Sequence, residues 1–149
     1  MLSKIKKFLG YLWASPITLL GLLYASAFWA LGWYKWAGRH NDALVWQVSE
    51  EDCPEWLRKY WKSWVGHAIG NVVVLKYSPS EIPTTLTHEL KHVDQVMRLG
   101  IFQPIVYGLS FLAIKYGCPG SNPYYDNPFE IDARRAAGQV IDRVGKNNS

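Results

Sequence analysis

The order of apolar and polar positions divides this chain into an oily N-terminal region and a mixed remainder. Residues 8–34 carry no charged side chain, a run long enough to cross about 30 Å of hydrocarbon with some tilt. Ser15-Pro16 interrupts it. Upstream, Leu2, Ile5, Leu9 and Leu12 recur at helical spacing among Lys4, Lys6 and Lys7, as in a short helix lying on a membrane surface. Downstream, Ser15 as N-cap and Pro16 at the first position predict a second helix running to about Trp36 and stopped by Gly38. Trp29, Trp33, Tyr34 and Trp36 then gather where an aromatic belt belongs. Ala25-Ser26-Ala27 behind the basic start also reads as a signal-peptidase site, and a soluble hydrophobic hairpin is a further alternative. Because the apolar run continues through Phe28 to Trp36, which a cleaved precursor does not need, the pattern favours a retained membrane anchor or embedded hairpin over residues 1–37. Lys4, Lys6 and Lys7 on one side face Lys35 and Arg39 on the other, so charge sets no orientation.

Residues 38–149 have the pattern of a water-soluble domain. Residues 43–48 read as a short strand, and Pro54 opens a helix with Trp56, Leu57, Tyr60, Trp61 and Trp64 at helical spacing. Ala68 to Tyr77 reads as a second strand, clearest over the β-branched run Asn71 to Tyr77 that Gly70 opens, and Ser78-Pro79-Ser80 ends it. Pro83 and Gly100 bracket a helix with Leu86, Leu90, Val93, Val96 and Met97 on one arc and Thr87, Lys91, Asp94 and Arg98 on the opposite one. Residues 99–114 are uncharged but short for a span, which suits a buried or interfacial helix with Pro104 near its start. A turn-rich loop leads to a last helix from Pro128 to about Val144, with a frayed tail over 146–149.

Composition adds two points. Eight Trp and nine Tyr suit a membrane interface, and a net charge of +4 without a dense Lys/Arg run argues against a nucleic-acid partner. Cys53 and Cys118 have no C-x-x-C spacing and read as two free thiols.

The chemistry is concentrated at His88-Glu89-Leu90-Lys91-His92, an H-E-x-x-H pattern for which this composition gives about 0.003 chance matches. Residues i and i+4 share a helix face, so both imidazoles can reach one zinc ion, with Glu89 beside the metal-bound water as general base. Glu89 projects into the apolar arc, where a carboxylate without a partner costs several kcal/mol. The bland alternative is a pair of hydrogen-bonded core histidines.

A catalytic zinc takes three protein ligands, and no third histidine follows at the H-x-x-G-x-x-H spacing. Asp126, Glu130 and Asp132 are the candidates. Glu130 is favoured because it projects from the first turn of a helix that can pack on the H-E-x-x-H helix; the competing role is a capping box with Asn127. Asp126 is then expected to orient an imidazole. Tyr124, Tyr125 and His67 are weaker candidates for stabilising an oxyanion.

H-E-L-K-H-V-D-Q at 88–95 with Y-Y-D-N-P-F-E-I-D-A-R at 124–134 resembles the small gluzincin-type metallopeptidases, and is similar to small bacterial and phage proteins with H-E-x-x-H-V-x-Q and N-P-x-E-x-x-A. The resemblance covers roughly residues 43–144. It implies zinc on His88, His92 and Glu130, Glu89 as base, and a peptide or protein substrate. Larger gluzincins often carry an acidic residue four positions after the ligand glutamate; Arg134 stands there in this chain. The expected fold is α+β and zincin-like: a small sheet, the H-E-x-x-H helix and a C-terminal ligand-bearing helix, preceded by the hydrophobic N-terminal helix. Residues 70–77 are expected to be the cleft-side edge strand that holds an extended peptide. Activity is expected near membrane lipid, since the apolar 99–114 segment and the basic-aromatic 54–64 helix add to the anchor. The rival is a membrane-associated structural protein that uses its metal as a staple.

Overall fold

A computed structural model describes residues 2–141; residues 142–149, which hold the predicted tail and the end of the predicted last helix, lie outside it. The described residues form an α+β fold of five helices and a mixed four-stranded sheet.

The first helix, α1 (Leu2–Ala30), runs 29 residues without the expected break. Pro16 cannot hydrogen-bond to the carbonyl of Leu12, but the hydroxyl of Ser15 donates to that oxygen at 2.7 Å. The vacated acceptor is thus satisfied and the helix continues. It is long and apolar enough to cross a membrane. Its sides differ. Gly10, Ala14, Gly21 and Ala25 line the side packed on the rest of the chain: a Cβ on Gly21 would stand 2.4 Å from the Ile69 carbonyl, and Ala14 and Ala25 are fully buried. Thr18 on the same side hydrogen-bonds Asn71. Phe8, Leu12, Leu19, Leu20 and Leu23 are exposed.

The helix ends at Ala30 rather than near Trp36. Gly32, at a φ of 78°, turns the chain into β1 (Tyr34–His40), so Tyr34 and Trp36 belong to a strand and not to the end of an apolar helix. A two-residue turn at Asn41-Asp42 leads to β2 (Ala43–Val48), paired antiparallel to β1 with a bulge before Gly38. After α2 (Glu55–Ser63), the predicted single strand is a hairpin, β3 (Gly66–Ile69) and β4 (Val72–Leu75), folded at Gly70 with a φ of 63°. The sheet order is β1-β2-β4-β3, with β2 and β4 parallel. β4 is therefore interior and β3 is the edge, which corrects the expectation for 70–77.

Alternate residues of β2 and β4 feed two cores. Trp46, Val72 and Val74 pack with Tyr34, Leu57, Trp61 and Ala25 on the face covered by α1 and α2. Val45, Val73 and Leu75 pack with Val93, Leu86 and Leu90 under α3 (Pro83–Leu99). At Gly100 the chain turns by 112° into α4 (Phe102–Gly117), which has no fully buried residue. The last described helix, α5 (Pro128–Ala136), packs on α3 and stops eight residues short of the predicted end, where Gly138 takes a φ of 66°. Cys53 is buried and Cys118 exposed, both free.

Candidate metal centre

Pro83 at the start and Gly100 at the end give α3 the bounds its sequence predicts, which places His88 and His92 one turn apart on one face. Their rings meet edge to face with Nε2 atoms 3.1 Å apart. The first turn of α5 brings in Glu130, with Oε2 3.3 Å from His88 Nε2 and Oε1 3.4 Å from His92 Nε2. Asn127 caps this helix by accepting from the N–H of Phe129, while Glu130 faces the imidazoles, so the capping-box role is not the one it takes. His88, His92 and Glu130 form a group that could hold a metal ion, and all three are buried or nearly so.

The hydrogen bonds around this triangle fix what its inner atoms can do. Gln95 Nε2 donates to the Phe129 carbonyl and to Asp132 Oδ2, so its Oε1 is the atom 2.9 Å from His92 Nδ1 and that ring nitrogen must donate. On the other ring, His88 Nδ1 lies 2.9 Å from Gln139 Oε1, again an acceptor. With both Nδ1 atoms protonated, both neutral Nε2 atoms present lone pairs toward each other and toward the carboxylate. Among the described residues Glu130 Oε2 accordingly accepts no hydrogen bond although it is buried; Oε1 accepts from the Tyr107 hydroxyl at 2.9 Å. Converging lone pairs in a buried space are satisfied by a positive charge among them, a metal ion or a proton. The same demand appears in the titration of the groups. Burial opposes charge on His92, but its contact with Glu130 and the charge of Glu89 win and raise its pKa. Burial alone would raise Glu130; contacts with His88, His92 and Tyr107 hold it far below the ordinary carboxylate range.

Glu89 is buried beside the triangle, and among the described residues its carboxylate accepts no hydrogen bond. Burial pushes it up to about 7, with the charges of His92 and His88 opposing and that of Glu130 adding. It stands between two cavities of about 610 and 470 Å³ that share Trp64, Gly66, His88 and Tyr124 in their walls. The larger cavity continues to Arg134 and Gln139, the smaller to Phe111 of α4 and His92. β3 forms the opposite wall. A Cβ on Gly66 would lie 3.1 Å from Glu89 Oε1 and 3.0 Å from Leu75 Cδ2, so a larger residue there would make the carboxylate give by a few tenths of an ångström.

The other expected residues fall in different places. Tyr124 lines both cavities, and burial pushes its hydroxyl above its ordinary range, with the Glu130 charge adding. Tyr125 is exposed at the mouth of the larger one. Asp126 accepts from the backbone N–H of Asn122, and the orienting role expected of it is filled by Gln95 and Gln139. Asp132 contacts Gln95 and Lys91. His67 stacks on Trp61 in the wall of the smaller cavity, away from the triangle's hydrogen bonds. Gln95, Gln139 and Tyr107 carry site contacts that the sequence reading did not assign. Gln95 had a local signal, three residues after His92 beside the apolar arc; the other two approach from distant parts of the chain. No family model matches this chain, and neither a curated protein nor a solved structure does.

Proposed function

We propose that this chain is a zinc-dependent metallopeptidase of zincin-like design working at a membrane surface. The observation that carries the reading is the convergence of His88 Nε2 and His92 Nε2, 3.1 Å apart, on one carboxylate, Glu130, whose Oε2 lies 3.3 Å from the first nitrogen and whose Oε1 lies 3.4 Å from the second. A tetrahedral ion with ligands at 2.0–2.1 Å has ligand–ligand edges of about 3.3–3.4 Å. Three protein ligands with a cavity on the remaining side favour a catalytic site over a structural one, which four protein ligands would close. Zinc bound there would supply the Lewis acidity that polarises a peptide carbonyl and brings the pKa of water to about 7.

The chain's own residues do the rest. Glu89, buried with no donor of its own, takes the proton of the attacking water and returns it to the leaving amine. Tyr124, in the wall of both cavities, is the hydroxyl best placed to donate to the developing oxyanion. The outer edge of β3 pairs with no described strand and runs along the cleft, so an extended substrate can add there as a further strand.

Membrane lipid is the proposed second partner. On α1 the small residues face the protein and Phe8, Leu12, Leu19 and Leu23 face outward, the reverse of a soluble surface helix. α4 repeats the pattern with Phe102, Ile105, Leu109 and Leu112 exposed, while its Tyr107 reaches Glu130.

Peptide hydrolysis by the purified zinc-loaded chain, compared with Glu89→Gln carrying equal zinc, tests the chemistry: the variant should be nearly inactive, and equal rates would end the reading. Co-flotation with lipid vesicles should survive high salt, because buried apolar area is not screened. Recovery of the intact chain free of vesicles and detergent would remove the membrane from the account.

A further inference from the structure

We infer that Arg134 is a carboxylate-binding residue of the cleft, so that the preferred substrate presents a carboxylate, its C-terminus or an acidic side chain, on the side of the scissile bond that fills the larger cavity. This deepens the metallopeptidase reading and rests on it. Arg134 lies one helical turn beyond Glu130 on α5 and projects from the same face. It is 8% exposed and lines the 610 Å³ cavity with His88, Glu89, Tyr124 and Tyr125. Its guanidinium carbon sits 4.1 Å from the centre of the Tyr125 ring and 5.5 Å from that of Tyr124. These ring faces hold the plane of the group but offer its five N–H donors no acceptor.

Among the described residues no carboxylate lies within ion-pair distance of Arg134, and its side chain makes no hydrogen bond. Glu130 is committed to the two imidazoles and Tyr107. A cation this buried without a counter-charge is costly, and the fork of a guanidinium matches a planar carboxylate through two parallel hydrogen bonds. Such a pair beside Glu89 would set the register of the chain being cut. The opposite cavity, with Val96, Pro104 and Phe111 in its wall, takes the apolar neighbour.

The test uses matched peptides of one sequence: free C-terminal acid, C-terminal amide, and the amide with Asp or Glu at each position flanking the cleaved bond. With the zinc-loaded full chain, one carboxylate-bearing form should exceed the neutral amide about 10–100-fold in kcat/KM, as a charged hydrogen-bonded pair supplies; which form does so identifies the source of the carboxylate. The ratio should collapse toward one in Arg134→Gln and recover partly in Arg134→Lys. A ratio near one in the unmodified chain overturns the inference and needs no variant to fold. So does a preference that persists in Arg134→Gln, because the metal would then be reading the carboxylate. Calorimetry of the free-acid, neutral-amide and Asp- or Glu-bearing amide peptides, on Glu89→Gln carrying zinc with and without Arg134→Gln, should show the same preference without turnover and its loss in the double variant. If no peptide is hydrolysed by the unmodified chain, the peptidase reading fails, and this titration still decides for or against Arg134.

Discussion

The wall of the smaller cavity holds half-buried histidines in two contrasting settings. His67 is stacked on Trp61 at 5.0 Å, with Tyr24 and Tyr60 as its other ring neighbours. Its Nδ1 contacts the Tyr60 hydroxyl, its Nε2 has no partner among the described residues, and burial pushes its pKa down to about 4. His92 is also deeply placed, yet its pKa is raised, because Glu130 and Gln95 face it where aromatic rings face His67. Burial alone therefore makes a neutral core histidine. A metal site needs the carboxylate inside and the carbonyl acceptors outside, and among the described residues the α3/α5 junction has both.

The largest effect expected from this contrast is on turnover. Glu89→Gln should lower kcat about 10²–10⁴-fold at unchanged zinc content, the usual loss for a general base. A variant that loses zinc together with activity would instead place Glu89 among the ligands.

The next effect is on acid stability and belongs to His67. Its folded pKa, about 4, lies below the unfolded value of about 6.5. As pH falls through 6.5 the unfolded chain takes up a proton that the folded chain refuses, so stability is lost progressively down to about pH 4. The full loss from this group is on the order of 3 kcal/mol, and above pH 6.5 it contributes no pH dependence. Denaturant melts of His67→Phe between pH 7 and 4.5 should show a flatter slope than the unmodified chain; equal slopes would show that His67 reaches solvent.

Smaller again is the expected effect of the outer acceptors. Gln139→Ala or Gln95→Ala should weaken zinc binding about 10–100-fold while leaving both imidazoles in place, because the imidazole that loses its acceptor can then flip or change tautomer. Unchanged affinity in both would mean that the rings are oriented by packing alone.

These residues also show how far the sequence could be read. α3 was legible to the residue because its bounds are local, Pro83 before and Gly100 after, and the i, i+4 histidines need nothing from the rest of the chain. β2 was legible for a similar reason. β1 was not, because Trp33 to Trp36 continues the apolar run of α1; pairing with β2 makes it a strand, and Gly32 releases it from the helix. The β3–β4 hairpin was hidden because Gly70 was read inside one strand over 68–77 rather than as a turn, and Gly66 to Ile69 carries too few β-branched residues to stand out as a strand of its own. Ser15 concealed the continuity of α1 by supplying the one hydrogen bond that Pro16 leaves open. Glu130 could be favoured from sequence because α5 has a clear start at Asn127-Pro128. Gln139 could not, since it meets His88 across 51 residues from a segment just beyond α5.

Whether His88, His92 and Glu130 hold one zinc ion is decided by metal content. The purified full chain should carry about one zinc per molecule, and Glu130→Ala and the double variant His88→Ala/His92→Ala should each lose it while the far-ultraviolet circular dichroism stays native. Zinc retained at full occupancy in the double variant, or no zinc bound by the unmodified chain at micromolar free metal, would contradict the account.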